Sequence, residues 1–580
     1  MSALINALDN LTPMQRGENG QAEYTWSNSI RERIVQLSFQ LTRVSQPSIL
    51  ADLANKYDSL LTDIKALSHA EYVSILSILY RLIGQTRDMI DGKGEYTLAY
   101  MLLTVFYKHH PELAKFAFRY FVLGDNEMVV HPYGSWKDVK NLIKYIEVAG
   151  IKKKKQKVGI RYEVDAENDL EMYALRLINS QIFIDKHAEV PSLAAKWVPR
   201  EKSQHDGVFN YLATDYFEEY LKTANSEDSM KRATTKAKME YRKLISSLNK
   251  RLDTVQIKQC ANTWADIDPA NQTSITMHKQ KKAFLNKTKK GLQRSFCADR
   301  IVCAEHFTAF AEKASKGEVE VKGKRIGLND FTKNALDLCG LDSSSSEVKI
   351  LNAQWINNST QTGALGKMIA MVDVSGSMSG DPLHAAIALG IRIAEKSVLG
   401  KRVLTFSSTP KWVNLEACTS FIESVRVLQS ADWGMSTDFY AALNLILTAI
   451  VNAKLPAEEV EDMVLTILSD MQMNSAGAFS DTMMDLIRDK YAEAGMAVCG
   501  KPYKPPHILF WNLRSTNGFP TLSEEKNASM VSGFSASFLN LFCEKGLSSL
   551  ENCTPWSMLI DSLTNPRYMV LDSHLRQSFL

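Results

Sequence analysis

Two short apolar runs that end in carboxylates constrain this chain more than any other feature. Lys367-Met-Ile-Ala-Met-Val-Asp373 is one, and Asp462-Met-Val-Leu-Thr-Ile-Leu-Ser469, followed by Asp470, is the other. Continuous apolar runs of this length are what a strand buried on both faces requires, and such strands belong to parallel sheets covered by helices. The neighbouring segments alternate accordingly. Pro382–Val398, Phe439–Asn452 and Asp481–Glu493 read as helices. Arg402–Phe406, Lys411–Leu415 and His507–Trp511 read as strands, and Met530–Phe542 and Leu547–Leu563 as closing helices. Strands alternating with helices predict a doubly wound parallel sheet.

In open sheets of this kind ligands bind beyond the carboxyl ends of the strands. The sequence puts oxygen atoms there. Asp373-Val-Ser375-Gly-Ser377 follows one strand, Thr437 precedes a helix within Gly434-Met-Ser-Thr437-Asp438, and Asp470 ends another strand. Two carboxylates and three hydroxyls make an all-oxygen set, which suits a hard cation such as Mg²⁺, with Mn²⁺ or Ca²⁺ as substitutes. Gly376 is expected to let the backbone bend so that residues 375 and 377 face one side. Asp438 reads as the N-cap of its helix.

The Asp-x-Ser-x-Ser pattern, with Thr437 and Asp470 behind it, resembles the metal-ion-dependent adhesion site of integrin and von Willebrand A domains. The resemblance implies that Ser375, Ser377 and Thr437 bind the metal directly. It implies that Asp373 and Asp470 act largely through water, and that one position stays open for an acidic group on a partner.

Upstream, the pattern changes. From about Ser29 to Lys313 apolar residues recur at three and four, as in Ile30, Ile34, Leu37, Leu41 and in Val73, Leu76, Leu79, Leu82. These are amphipathic stripes, and successive helices with short polar joints suggest stacked pairs, as in a HEAT-like α-solenoid. Residues 1–26 are polar and read as a flexible arm. Leu341-Asp-Ser-Ser-Ser-Ser-Glu347 reads as a linker. The expected organisation is therefore an arm over 1–26, a helical-repeat domain over 27–350 and the metal-site domain over 351–580. Lys316–Arg325, rich in Gly and Lys, reads as a hairpin or flexible connector.

Arg87-Asp88-Met-Ile-Asp-Gly92-Lys93-Gly94-Glu95 and Tyr133-Gly134-Ser-Trp136-Lys-Asp138 resemble segments of the helical-repeat region of the Ro autoantigen (TROVE) group. Gly17-Glu-Asn-Gly20, Leu193-Ala-Ala-Lys-Trp197 and Trp264–Ile267 resemble those of an uncharacterised family of plant and large-virus proteins. That family also joins a helical half to a von Willebrand A half. The Ro likeness implies a ring of helical repeats that binds single-stranded ends or small structured noncoding RNA.

The charge balance is compatible. Residues 361–580 carry 17 Lys and Arg against 22 Asp and Glu, so residues 1–360 carry a net +8 of the total +3. Clustered cations neutralise phosphates without strong sequence preference. The candidates are Lys231, Arg232, Lys236, Lys238, Arg242 and Lys243 on one long helix, then Lys281, Lys282, Lys287, Lys289 and Lys290, with a further basic run at Lys152–Lys157. Tyr107, Phe118, Tyr120, Tyr133 and Trp136 are available to stack on bases, although aromatics at helical spacing are more often core. Arg87-Asp88 reads as an internal ion pair that fixes a turn.

No catalytic triad, Cys/His dyad or Gly-x-x-x-x-Gly-Lys-Ser/Thr loop stands out, so the expectation is a non-enzymatic protein. Eight scattered cysteines, the lack of an 18-residue apolar stretch and a start without a basic, apolar leader predict a cytoplasmic protein with no membrane partner. The expected function is RNA binding through the basic helical half, with a metal site attached; the alternative is a metal-dependent protein-interaction or assembly module with no RNA. The oligomeric state is not readable.

Overall fold

The apolar runs that end in carboxylates form the centre of a six-stranded sheet. In the computed structural model the described residues are 13–44, 46–124, 131–149, 161–407, 409–430, 437–474, 482–544 and 550–579. An N-terminal hairpin pairs β1 (Met14–Arg16) with β2 (Ala22–Tyr24). The main sheet comprises β3 (Met368–Asp373), β4 (Arg402–Phe406), β5 (Lys411–Asn414), β6 (Val464–Ser469), β7 (His507–Asn512) and β8 (Ala528–Ser532), in the order β5-β4-β3-β6-β7-β8. All pairings are parallel except that of the edge strand β5 with β4.

Both faces of this sheet are covered. Successive side chains on a strand point to opposite faces. Met371, Leu404, Ile467, Ile508 and Phe510 enter one apolar cluster, together with the helices Phe439–Ala453 and Met483–Cys499. Ala370, Val372, Val403, Leu468 and Trp511 enter another, against the helices Asp381–Lys396 and Phe421–Gln429.

The remainder is helical, from Ile30–Gln40 to Ser346–Ser359, with neighbouring helices packed on one another. Among the described residues no helix is long and apolar enough to cross a membrane.

The two halves do not keep separate cores. Helices such as Pro47–Asp63 and His69–Arg87 share the cluster that lines one face of the sheet. The helix Leu328–Leu338 packs on Asp381–Lys396 across the other face. The Ser-rich segment 341–347 joins the helices Leu328–Leu338 and Ser346–Ser359, which pack on one another, and its last two residues open the second of them. Each fully buried Leu, Ile or Phe contributes about 1.5–3 kcal/mol, so a shared cluster of this size binds the halves strongly.

Other expectations change as well. Residues 13–26, expected as a flexible arm, form the hairpin, which bridges to Asn474, Thr482 and Phe519. Tyr24 exchanges backbone hydrogen bonds with Phe519. Met530–Phe542 is not a helix. Ala528–Ser532 completes the sheet as β8, Gly533 turns the chain at φ +104°, and short helical turns follow at Ala536–Leu539 and Asn540–Glu544. Lys316–Arg325 is a connector, pinned where Gly323 N–H donates to Asn357 Oδ1 at 2.7 Å.

Arg87 and Asp88 do not pair with each other. Arg87 forms a two-pronged pair with Asp138, both bonds 2.6 Å. Asp88, fully buried, takes a two-pronged pair from Arg567, both bonds 2.7 Å. Adjacent side chains point in different directions, so each finds a remote partner. Tyr100 also donates to Asp138, so the Arg87 and Asp138 segments, far apart in sequence, meet in one buried polar knot.

Candidate metal centre

β3 and β6 lie side by side, which brings the loops after them together. Asp373, the last residue of β3, is fully buried, and Asp470 follows β6 almost as deeply. Burial and the charge of Asp470 push the Asp373 carboxyl up to about 7, and burial raises that of Asp470 too. Two carboxylates held close together out of water repel one another and retain protons. A cation between them would relieve both effects.

The hydrogen bonds show which oxygens remain available. Asp373 Oδ1 accepts from Ser375 N–H at 2.9 Å, and Oδ2 accepts from Ser469 Oγ at 2.6 Å. Both oxygens of Asp373 are thus engaged by protein donors, which suits a carboxylate that reaches a cation through water. Ser375 Oγ and Ser377 Oγ share a 3.1 Å hydrogen bond, which holds the two hydroxyls side by side. A hydrogen bond from Ser377 also stabilises the Asp470 carboxylate. Thr437 is buried in the same region, and its carbonyl accepts from Asn474 N–H four residues beyond Asp470. Residues 431–436, including the expected Gly434, lie outside the described residues.

This donor set fits a hard divalent cation. Among the described residues no group of three or more His, Cys, Asp or Glu gathers at metal-binding geometry. Any cation at this point would therefore rest largely on hydroxyls.

The chain turns between residues 375 and 377, whose hydroxyls face one side, and again before the next helix. Gly376 opens a single 3₁₀ turn, Gly376–Met378, and the reversal into the helix Asp381–Lys396 occurs at Gly380, φ +93°. Met471, directly after Asp470, sits at φ +64°. A long side chain rarely adopts that conformation, and strain of this kind concentrates at binding sites. Asp438 caps its helix as expected, with Oδ1 accepting from Ala441 N–H at 2.8 Å.

Three participants were not foreseen. Ser469 orients Asp373. Arg514, just past β7, donates to the Ser377 carbonyl, and its charge favours ionised Asp470. The hairpin loop grips the segment after Asp470: Glu18 N–H donates to Gln472 Oε1 at 3.0 Å and Asn19 Nδ2 to Gln472 O at 2.8 Å. The position of Arg514 at a strand's carboxyl end was the available signal for it. For the hairpin the motif Gly17-Glu-Asn-Gly20 was visible, but nothing in it pointed to Gln472.

The basic candidates separate into two kinds. Lys231, Arg232, Lys236, Arg242 and Lys243 are exposed along the helix Glu227–Arg251, and Lys238 is half-buried there. Several are partly neutralised: Lys231 by Glu227, Arg242 by Glu201, and Lys243 by Glu240, while Lys236 lies over the Tyr220 ring. Lys281 is buried, donates to Asn334, and is brought down to about 8 by that burial, so it is withdrawn from any phosphate-facing surface. Lys282 and Lys287 face Glu347, whereas Lys289 and Lys290 are exposed. The run Lys152–Lys157 lies outside the described residues.

Of the aromatics, Phe118, Tyr120, Tyr133 and Trp136 are core residues closed to a base. Tyr107 is half-buried and donates to Asp169.

Residues 367–561 match the model of a domain of unknown function, DUF7788, and residues 168–299 that of another, DUF2828. The first match covers the sheet and the candidate centre, and the second covers the basic helix. An uncharacterized protein of Acanthamoeba polyphaga mimivirus is 28% identical over 565 residues, spanning 94% of this chain and 86% of its own. That likeness crosses the junction of the two halves, as their shared core would lead one to expect.

Proposed function

We propose that residues 351–580 form a von Willebrand A-type domain, and that the chain is a non-enzymatic binding protein that uses a divalent cation, Mg²⁺ first, to dock an acidic group of a protein partner. The observation that carries this reading is the buried pair Asp373 and Asp470, set with Ser375 and Ser377 at the ends of adjacent parallel strands. Ser375, Ser377 and Thr437 would hold the cation, with Asp373 and Asp470 behind them. When bound, the cation would supply a Lewis-acidic centre for a carboxylate oxygen. Ser469 fixes the orientation of Asp373. Arg514 holds the Ser377 loop by its carbonyl and adds positive charge beside the centre.

Calorimetric titration of the full chain with Mn²⁺ tests this. Saturable binding that is lost in Ser377→Ala and Thr437→Ala is expected. Undiminished binding in both variants would remove the assignment.

A second reading, RNA binding by a HEAT-like helical half as in Ro (TROVE) proteins, is favoured by the exposed basic face of Glu227–Arg251. Mobility-shift titration with single-stranded RNA over a salt series should then show a steep salt slope, reduced by about one per phosphate-contacting cation removed. Absence of binding at low salt would end that reading.

A further inference from the structure

A cavity of about 590 Å³ opens where the helical half meets the sheet, remote in composition from the candidate metal centre. It lies within the size range of sites for small organic ligands. Seven separate stretches of chain converge on it. Among them are the turn Met89–Gly94, the connector 324–330, and the turn 534–537 after β8. The first lies in the Arg87–Glu95 motif and the second begins at the end of the Gly- and Lys-rich segment Lys316–Arg325, and the metal centre uses neither.

Its lining is cationic. Arg43, Lys324, Arg325 and Arg392 contribute four positive charges, against Asp91 and Asp330, while burial brings Lys93 down to about 7. Not all are free to bind. Arg43 is paired with Glu95 and Asp381, and Lys93 donates to the carbonyls of Ser38 and Leu41 and to Ser532 Oγ. Lys324 and Arg325 differ. Among the described residues neither pairs with a carboxylate, and Arg325 has only a long 3.4 Å contact to Gln361 Oε1. Burial lowers the proton affinity of Arg325, and the charges of Asp88 and Asp91 offset this only in part.

Arg392 is the stronger sign. Its side chain is fully buried in the wall of this cavity. Its partners carry no charge: Thr362 Oγ1 at 3.1 Å, the Asn358 carbonyl at 3.5 Å, Asn358 Oδ1 at 2.9 Å, and the Trp355 ring, whose centroid lies 4.4 Å from the guanidinium carbon. Its Nε has no acceptor at all. Burial lowers it to about 10, with Glu395 opposing only in part. A buried guanidinium without a bonded anion is costly unless a ligand supplies the charge.

A helix N-terminus adds donors. The eleven-residue helix Leu328–Leu338 starts at this cavity, and its N-cap Gly327 offers no side-chain oxygen to the first N–H groups. Such N–H groups, with the helix dipole behind them, favour an anion. Tyr96 and Ile275, 52% and 38% exposed, give the same cavity an apolar surface.

We propose that this cavity binds a phosphorylated small molecule of mononucleotide size, its phosphate held by Lys324, Arg325 and the N-terminus of Leu328–Leu338 and its ring set against Tyr96 and Ile275. Arg392 acts from behind the wall, as fixed positive charge. The site is independent of any cation at Asp373.

The test is equilibrium binding to the full chain by calorimetry. The probes are the four ribonucleoside 5′-monophosphates and ribose 5-phosphate, each beside its unphosphorylated counterpart, and a 5′-phosphorylated RNA decamer. At least one phosphorylated small probe should saturate and bind about tenfold or more tighter than its counterpart. Lys324→Gln, exposed and harmless to the fold, and Arg325→Gln should each weaken it about tenfold. Three results would overturn the proposal: no small phosphorylated probe saturating below about 10 mM, equal binding with and without phosphate, or wild-type affinity in both variants. Binding of the RNA decamer without any mononucleotide would also overturn it, in favour of a strand-end site.

Discussion

Replacing Asp373 by Asn should stabilise the cation-free protein while abolishing its response to metal. In the fold the Asp373 carboxyl keeps its proton up to about pH 7, because burial and the charge of Asp470 oppose ionisation. In the unfolded chain the same group ionises near 4. Between those values the native state holds the extra proton, so stability falls as pH rises through the window. The difference of about three pH units corresponds to roughly 4 kcal/mol lost by pH 8, at about 1.4 kcal/mol per unit. Asn removes the charge, accepts from Ser375 N–H as Asp does, and offers its amide to Ser469 Oγ. It should recover about 1–3 kcal/mol of this above pH 7, because some of the repulsion is shared with Asp470. The assay is urea unfolding in EDTA at pH 5 and pH 8, then with added Mg²⁺. The wild type should be less stable at pH 8 than at pH 5 in EDTA, and Mg²⁺ should restore the loss by binding the ionised form. Asp373→Asn should show a smaller decline with pH and no gain from Mg²⁺. If Asp373→Asn is less stable than wild type at pH 8 in EDTA, the repulsion argument is wrong.

Other perturbations have equally definite outcomes. Arg567→Met strands the buried Asp88 carboxylate and should cost about 3–5 kcal/mol, with most of it regained in the double variant Asp88→Asn/Arg567→Met; equal stability of the single and double variants in denaturant titration would contradict this. Gly323→Ala would place a Cβ 1.9 Å from the Gln354 carbonyl oxygen, so calorimetry should show a lower Tm and a loss of about 1–3 kcal/mol or more. Gln472→Ala removes the acceptor for Glu18 N–H, and limited proteolysis should then cut within residues 13–25 at a protease concentration that spares the wild type.

The sequence revealed the sheet's centre because its strands must be apolar on both sides, and Met368–Asp373 and Val464–Ser469 carry that requirement in their own residues. The oxygen atoms at their ends were legible for the same reason, since they follow directly in the chain. β8 was not, because Ala528-Ser-Met-Val-Ser has only two large apolar residues and its burial comes from β7 and the helix Pro555–Leu563. Ser469 and Arg514 act at the centre through contacts that no local spacing encodes. Arg87-Asp88 was noticed, but sequence offers no means of telling that their partners stand at 138 and 567. Charge counting also overreached at Lys281, because a lysine on an amphipathic helix contributes to a tally whichever side it faces.

The packing of the helices Pro555–Leu563 and Pro566–Ser578 has a consequence for how this chain is made. Both rest on His69–Arg87; Ser77 donates to Asp572, and Arg81 donates to the Leu563 carbonyl. A ribosome delivers His69–Arg87 nearly five hundred residues before its partners. Domains generally fold in the order in which they emerge, but here the helix His69–Arg87 leaves the exit tunnel with one apolar side still waiting for these two. The nascent helical half should therefore remain a client of chaperones until residues 555–578 have emerged. Ribosome-stalled chains ending near residue 540 should bind a generic holdase, and release should follow extension past residue 579.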